Sequence, residues 1–133
     1  MKSIGWCTPL LLLATACLDP GVPTLVTGDW GGPHLGLVAT VSGATLEYDC
    51  AEGRIAGPIR PDDGGRFLVT GEHFPGHGGP IRIGDPVERL PASYLGTVRG
   101  NTMTVTVTLT DSNQTLGTFT LVRGASPHVF KCL

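Results

Sequence analysis

Hydrophobic and polar residues alternate along much of this chain. The clearest stretch is "TMTVTVTLT" at 102–110, whose apolar positions are Met103, Val105, Val107 and Leu109. Successive side chains of a strand point to opposite faces, so a period of two places these residues on one face and the threonines on the other. The pattern therefore predicts a strand with one face in a core and one in water.

The same alternation recurs in "ATLEYDC" at 44–50 and "GTFTLVR" at 117–123. Short turn signals rich in Gly, Asn and Asp separate the alternating stretches, and these residues tolerate the positive φ of tight turns. The spacing predicts eight strands, near 30–41, 44–50, 53–59, 66–73, 93–99, 102–110, 115–123 and 128–132.

Eight short strands that follow one another favour an all-β fold. We predict a small antiparallel up-and-down barrel of about eight strands, because closing the sheet removes its unpaired edges. A two-sheet β-sandwich is the alternative.

The N-terminus has the order of a secretory signal. Lys2 precedes an apolar run from Ile4 to Leu13, and small residues at 14–16 stand before Cys17. A membrane-spanning helix needs about 20 apolar residues, and this run is shorter and interrupted by Pro9. We therefore expect the segment to be removed.

The segment "LLLLATAC" resembles the bacterial lipobox, in which a dedicated peptidase cuts before a cysteine that receives lipid. The resemblance implies a cleaved signal at 1–16, lipid on Cys17 and attachment to a membrane through that lipid. Leu18, standing where aspartate would favour retention, points to the outer membrane in a cell with Lol-type sorting. Ordinary secretion and an uncleaved anchor are the alternatives.

Length and charge limit the possible architectures of the mature chain. The full chain has 133 residues and a net charge of −2, which leaves room for one domain after the signal and gives no basic surface for nucleic acid. We assign 17–29 to a tether and 30–133 to a single barrel domain.

Cysteine usage predicts one disulfide. Cys7 lies in the removed segment and Cys17 is the lipid acceptor, which leaves Cys50 and Cys132 in an oxidising compartment. Their bridge would close a loop of about 80 residues and stabilise the fold by about 4 kcal/mol in the chain-entropy model. Two buried thiols are the alternative.

"GDW" at 28–30 and Arg123 in "LVRG" resemble the G-x-W signature of the calycin barrels, which include lipocalins and avidins. The resemblance implies that Trp30 plugs one barrel end while Arg123 packs across its ring, a cation–π contact. The span from Trp30 onward is shorter than a typical lipocalin, so we expect a lumen filled by side chains.

A broader resemblance runs through "WGGPHLGL", "GATLEYDCAEG", "GGRFLVTGEH" and "YLGTVRGNTMTVTVTL". These stretches look like a group of small exported bacterial proteins with no assigned activity. The resemblance supports export and a single β domain, and it supplies no catalytic or binding residue.

One stretch breaks the strand pattern, "GEHFPGHGGPIRIGDPVERLP" at 71–91. Loops of this length in compact domains are often functional. The candidate interaction residues in it are His73, Phe74, His77, Arg82, Asp85, Glu88 and Arg89.

Signals for catalysis are missing from the sequence. There is no G-x-S-x-G elbow and no phosphate-binding glycine pattern before a helix, and Asp62 and Asp63 in "RPDDGG" are typical of a turn. The proline and glycines around His73 and His77 exclude a helical zinc motif. We predict no catalytic residue, no cofactor and no metal, with a metal-dependent enzyme built on the histidines (His34, His73, His77 and His128) as the minor alternative.

These observations predict a non-catalytic envelope protein that presents the 71–91 loop to a protein partner, with inhibition of a secreted hydrolase as one form. The main alternative is a carrier of a small apolar ligand in the barrel mouth. That role needs a cavity of about 300 Å³ or more, lined by inward residues such as Leu37, Leu46, Tyr48 and Phe119.

Overall fold

The structure is a computed structural model that describes residues 21–76, 83–84 and 86–132. Its eight strands are β1 (Gly28–Gly32), β2 (Leu35–Thr40), β3 (Gly43–Tyr48), β4 (Ala51–Ile55), β5 (Arg66–Pro75), β6 (Leu90–Arg99), β7 (Thr102–Leu109) and β8 (Gln114–Arg123). The described residues contain no helix, so none of them forms a helix able to cross a membrane.

Each strand pairs antiparallel with the next, and the sheet closes on itself. Closure is made between β1 and β8, where Trp30 lies opposite Arg123 and Gly31 opposite Val122. The predicted antiparallel up-and-down barrel is therefore confirmed, and the sandwich alternative is wrong. No strand of the barrel is left with a free edge.

The partition of the chain into eight strands differs from our prediction at both ends. The predicted strand at 30–41 is two strands, β1 and β2, separated by Pro33 and His34, and His34 takes the left-handed conformation with φ of 70°. The predicted strand at 128–132 is wrong, because β8 already closes the barrel with β1 and leaves no edge for a further strand.

Residues 124–132 form a C-terminal strap outside the barrel. The strap crosses the outer faces of Gly31 and Gly36, where any Cβ would collide with the strap at Ala125 or Pro127. A single parallel bridge joins Pro33 to His128. Glycines at these positions therefore let the strap lie directly on the backbone of β1 and β2.

The predicted disulfide is present in the structure. Cys50 and Cys132 are bridged with their Cα atoms 4.7 Å apart. Cys50 lies in the tight turn between β3 and β4, in a left-handed conformation with φ of 54°, rather than within a strand. The bridge joins the end of the strap to this turn, where the Cys50 amide also donates to the Phe130 carbonyl (2.8 Å).

The inward positions follow the predicted alternation. On β7, Met103, Val105 and Val107 are buried, and the threonines between them face outward. Large inward side chains lie over small ones on neighbouring strands, as Phe67 does over Gly96. This pairing of large and small residues fills the narrow lumen of an eight-stranded barrel.

One end of the barrel, which we call the closed end, is sealed by side chains. The guanidinium carbon of Arg123 lies 4.8 Å from the Trp30 ring centroid, and Trp30 is buried. Val26, in the range that we assigned to the tether, is also fully buried, and its amide donates to the carbonyl of buried Ile59 (2.9 Å). Trp30 and Arg123 thus stack as expected of a barrel plug.

Gly53 offers a test of the packing inside the barrel. A Cβ at this position would press on the Tyr48 hydroxyl and lie 2.7 Å from that of Tyr94. We expect Gly53→Ala to lower the free energy of unfolding by about 1–3 kcal/mol, as overpacked cores do. Urea unfolding measures this change.

Gly57→Ala is the matched control, because a Cβ there meets nothing within 4 Å. We expect it to change the free energy of unfolding by no more than about 0.5 kcal/mol. Equal effects of the two substitutions would show that the aromatic hydroxyls do not need the space at residue 53.

Candidate functional site

The opposite end of the barrel, which we call the mouth, contains a cavity of about 560 Å³. The β1–β2, β3–β4, β5–β6 and β7–β8 connections surround this end. The lining residues come from the inward faces and the rim: His34, Tyr48, Asp49, Cys50, Ala51, His73, Pro75, Leu116 and Phe119. The expectation of a lumen filled by side chains therefore holds only toward the closed end.

Small residues and one irregularity leave this space open. β4 presents Ala51 and Gly53 to the lumen, and neither extends far from the backbone. On β8 the register with β7 shifts between Val107 and Thr108. Such a shift redirects the side chains that follow it, and Leu116, beside the shift, lines the cavity wall.

Two tyrosine hydroxyls form a buried chain below the cavity. Tyr48 Oη donates to Tyr94 Oη (3.1 Å), and Tyr94 Oη donates to the Glu72 carbonyl oxygen (3.0 Å). Burial raises the pKa of both phenols above their usual range. Both hydroxyls are therefore neutral at physiological pH, and each uses its proton within the protein.

His73 is the buried titratable group of the cavity. It lies on β5 with 7% of its surface exposed, and its ring centroid is 5.4 Å from that of Tyr48. Its Nδ1 is buried and has no hydrogen-bond partner among the described residues. Burial lowers the pKa of the imidazole, and the Glu88 carboxylate offsets part of this effect. His73 is therefore neutral near pH 7.

The Asp49 carboxylate makes hydrogen bonds to two other segments at the rim of the cavity. Asp49 accepts a hydrogen bond from the Phe130 amide (2.8 Å) through Oδ1, and its Oδ2 lies 2.5 Å from His34 Nδ1. The Phe130 amide, followed by the His34 side chain, holds the pKa of the Asp49 carboxyl below its usual value. Asp49 thus joins the strap, the β1–β2 turn and the β3–β4 turn at the mouth.

Phe74, the neighbour of His73, points to the outside of the barrel. The guanidinium carbons of Arg54 and Arg89 lie 5.2 Å and 5.9 Å from its ring centroid, and Arg89 pairs with Glu72 at 3.7 Å. These exposed contacts are worth little stability individually. They form a small cationic and aromatic cluster on the outer face of β4 and β5.

The predicted interaction residues that the structure describes thus lie on both sides of the barrel wall. His73, predicted both as the end of the 66–73 strand and as part of the 71–91 loop, lies inside because β5 extends to Pro75 and pairs His73 with Gly53. Phe74, Glu88 and Arg89 lie outside. Cys17, His77, Arg82 and Asp85 lie outside the described residues.

Three of the four histidines of the minor metal hypothesis lie among the described residues, and these three do not all line one cavity. His34 and His73 line the same cavity, whereas His128 lies on the strap. Across 21–76, 83–84 and 86–132, no group of three or more His, Cys, Asp or Glu side chains is placed to hold a metal ion.

Sequence reasoning named Leu37, Leu46, Tyr48 and Phe119 as candidate lining residues, and of these only Tyr48 and Phe119 line the mouth cavity. It missed Tyr94 and the pairing of His34 with Asp49. The alternation of "LPASYLGTVR" places Ala92, Tyr94 and Gly96 on one face, so it could have predicted that Tyr94 faces inward. The His34–Asp49 contact joins two separate turns, and no local pattern signals it.

No protein-family model, no curated protein and no solved structure matches this chain. The fold and the cavity define it as a small closed β-barrel with one plugged end and one hollow end. The calycin resemblance stays a prediction.

Buried His73 makes the stability of the barrel depend on pH. The unfolded chain, with a histidine pKa near 6.5, binds the proton more readily than the folded barrel. The stability that neutral His73 contributes is therefore fully present above about pH 6.5. The free energy of unfolding falls as the pH drops below that value. Urea unfolding at about pH 7.5 and about pH 5.5 should show this loss.

The His73→Gln variant should lose less stability on acidification than the wild type, because it lacks the group that titrates. His128→Gln removes an exposed imidazole and retains His73, so it should keep this component of the loss. If His73→Gln is destabilised by acid as much as the wild type, another group is responsible.

Proposed function

We propose that this chain is an exported, lipid-anchored, non-catalytic protein that binds a small, largely apolar ligand in its mouth cavity. The observation that carries the proposal is the cavity of about 560 Å³ with Tyr48, Leu116 and Phe119 in its walls. Small-molecule sites have volumes of about 300–1,000 Å³ and mostly apolar walls with a few polar groups. His73 and Asp49 are such polar groups.

The position of Gly21, the first residue that the structure describes, supports an orientation for the tethered protein. Gly21 accepts a hydrogen bond from the Gly100 amide in the β6–β7 turn, at the closed end. Four peptide units separate Cys17 from Gly21, which at full extension reach about 14 Å. A lipid on Cys17 would therefore hold the closed end near the membrane and turn the mouth toward the aqueous side.

Interaction with a protein through the 71–91 segment is the second candidate. The observation in its favour is the exposed cluster of Arg54, Phe74 and Arg89, since Arg and aromatic residues are enriched at interfaces. The ligand hypothesis has the stronger support, because it uses a cavity and a buried unpaired imidazole that this cluster does not explain.

Intact mass of the protein extracted from cell membranes tests the anchor. We expect a chain that begins at Cys17 and carries diacylglycerol, with two thiols that react with an alkylating agent only after reduction. The Cys17→Ser variant should carry no diacylglycerol in the same measurement. An unlipidated mature chain in the wild type would refute the anchor and leave ligand binding untouched.

Fluorescence titration with N-phenyl-1-naphthylamine, a neutral apolar probe, tests the ligand site. We expect saturation at one probe per chain, and loss of binding in Ala51→Phe because the new ring fills the cavity. Leu116→Trp is a second filling variant with the same expected result.

Ala56→Phe is the matched control, since Ala56 is exposed beyond the end of β4, at the closed end. We expect it to bind the probe as the wild type does. Absence of saturable fluorescence in the wild type, or full binding by folded Ala51→Phe and Leu116→Trp, would refute the proposed site.

A further inference from the structure

The charges at the mouth distinguish between ligand classes. None of the nine described residues that line the cavity is Lys or Arg, and Asp49 contributes a carboxylate. A second carboxylate, that of Glu88, acts electrostatically on His73. An anionic ligand entering this cavity would lose its hydration and meet neither Lys nor Arg among these described residues, and the His34 ring there is already in contact with Asp49.

The polar groups of the cavity are not equally available to a ligand. The Tyr48 proton is donated to Tyr94 and the Tyr94 proton to the Glu72 carbonyl. Asp49 is occupied by the Phe130 amide and by His34. His73 is the exception among them, because its Nδ1 has no partner in the part of the chain that the structure describes.

A neutral imidazole has one nitrogen that donates and one that accepts. The His73 Nδ1 therefore lacks an acceptor in one tautomer and a donor in the other. A hydroxyl group both donates and accepts, so it can pair with the ring in either tautomer. A carboxylate only accepts, and the described lining offers it no Lys or Arg side chain.

We propose that the mouth cavity selects a neutral, apolar molecule that bears a hydroxyl group, such as a fatty alcohol or an alkylphenol, and that His73 is the hydrogen-bond partner of this hydroxyl. The inference rests on the proposed function, because it names the ligand class of the same site. It makes His73 the residue that determines specificity, while Tyr48, Leu116 and Phe119 supply the apolar contact.

Displacement of bound N-phenyl-1-naphthylamine at about pH 7.5 tests this selectivity with 1-octanol and octanoate, which have equal chain lengths. We expect 1-octanol to displace the probe at a concentration at least about tenfold lower than octanoate. His73→Phe should still bind the probe and should lose about tenfold in affinity for 1-octanol, which corresponds to about 1.4 kcal/mol. His128→Phe, a substitution outside the cavity, should behave as the wild type.

The outcomes separate this inference from the proposed function. If the probe does not bind the wild type, the ligand site itself is refuted. If the probe binds and octanoate displaces it as well as 1-octanol, or neither displaces it, the selectivity is wrong and the site stands. If 1-octanol is preferred equally by His73→Phe, His73 is not the partner.

Discussion

The barrel depends on a short closing contact between its first and last strands. β1 and β8 pair through only two residue pairs. In one of these pairs, the Arg123 guanidinium also stacks on the Trp30 ring at the closed end. Without this closure, two strands would expose unpaired amides and carbonyls, and the lumen side chains would meet water. The Trp30–Arg123 pair therefore contributes both to the plug and to the closure, which Gly31 and Val122 complete.

The strap reinforces the closure from outside. It leaves β8 at the closed end, crosses Gly31 and Gly36, and is fixed at the mouth by the Asp49 contact and the Cys50–Cys132 bridge. A segment that is anchored at both ends of the barrel resists separation of the strands that it crosses. The disulfide also fixes the β3–β4 turn that forms part of the rim, which links the stability of the barrel to the shape of the mouth.

The two ends of the lumen differ because of the sizes of their inward residues. Trp30, Leu37 and Leu46 fill the space toward the closed end, whereas Ala51 and Pro75 leave room at the mouth. Gly53 accommodates the paired hydroxyls of Tyr48 and Tyr94, which separate the packed part from the hollow part. Burial next to this space leaves His73 neutral, with an Nδ1 that no described residue pairs.

Much of this fold was determined by local sequence. The period-two pattern of β3, β7 and the 117–123 part of β8 specifies which residues face inward, because successive side chains of a regular strand point to opposite faces. The pairing of Cys50 with Cys132 followed from the cysteine count and the expected export, and the Trp30–Arg123 stack was implied by the resemblance of a short motif to the calycin barrels. The candidate site was only partly predictable: Tyr48 and Phe119 were identified as inward, and the expectation of a filled lumen did not anticipate the cavity beside them.

Tertiary structure alone decided the path of the strap at 124–132 and the hollow mouth. The division of 30–41 into two strands had a local signal that our prediction missed, because the inward apolar positions change from even to odd numbers between Trp30 and Leu35, on either side of Pro33. His73 lies inside and Phe74 outside because β5 extends into the segment that composition marked as a loop. Periodicity sets the face on which each side chain lies, but the volume left between facing side chains depends on register across eight strands, which no local stretch of sequence contains.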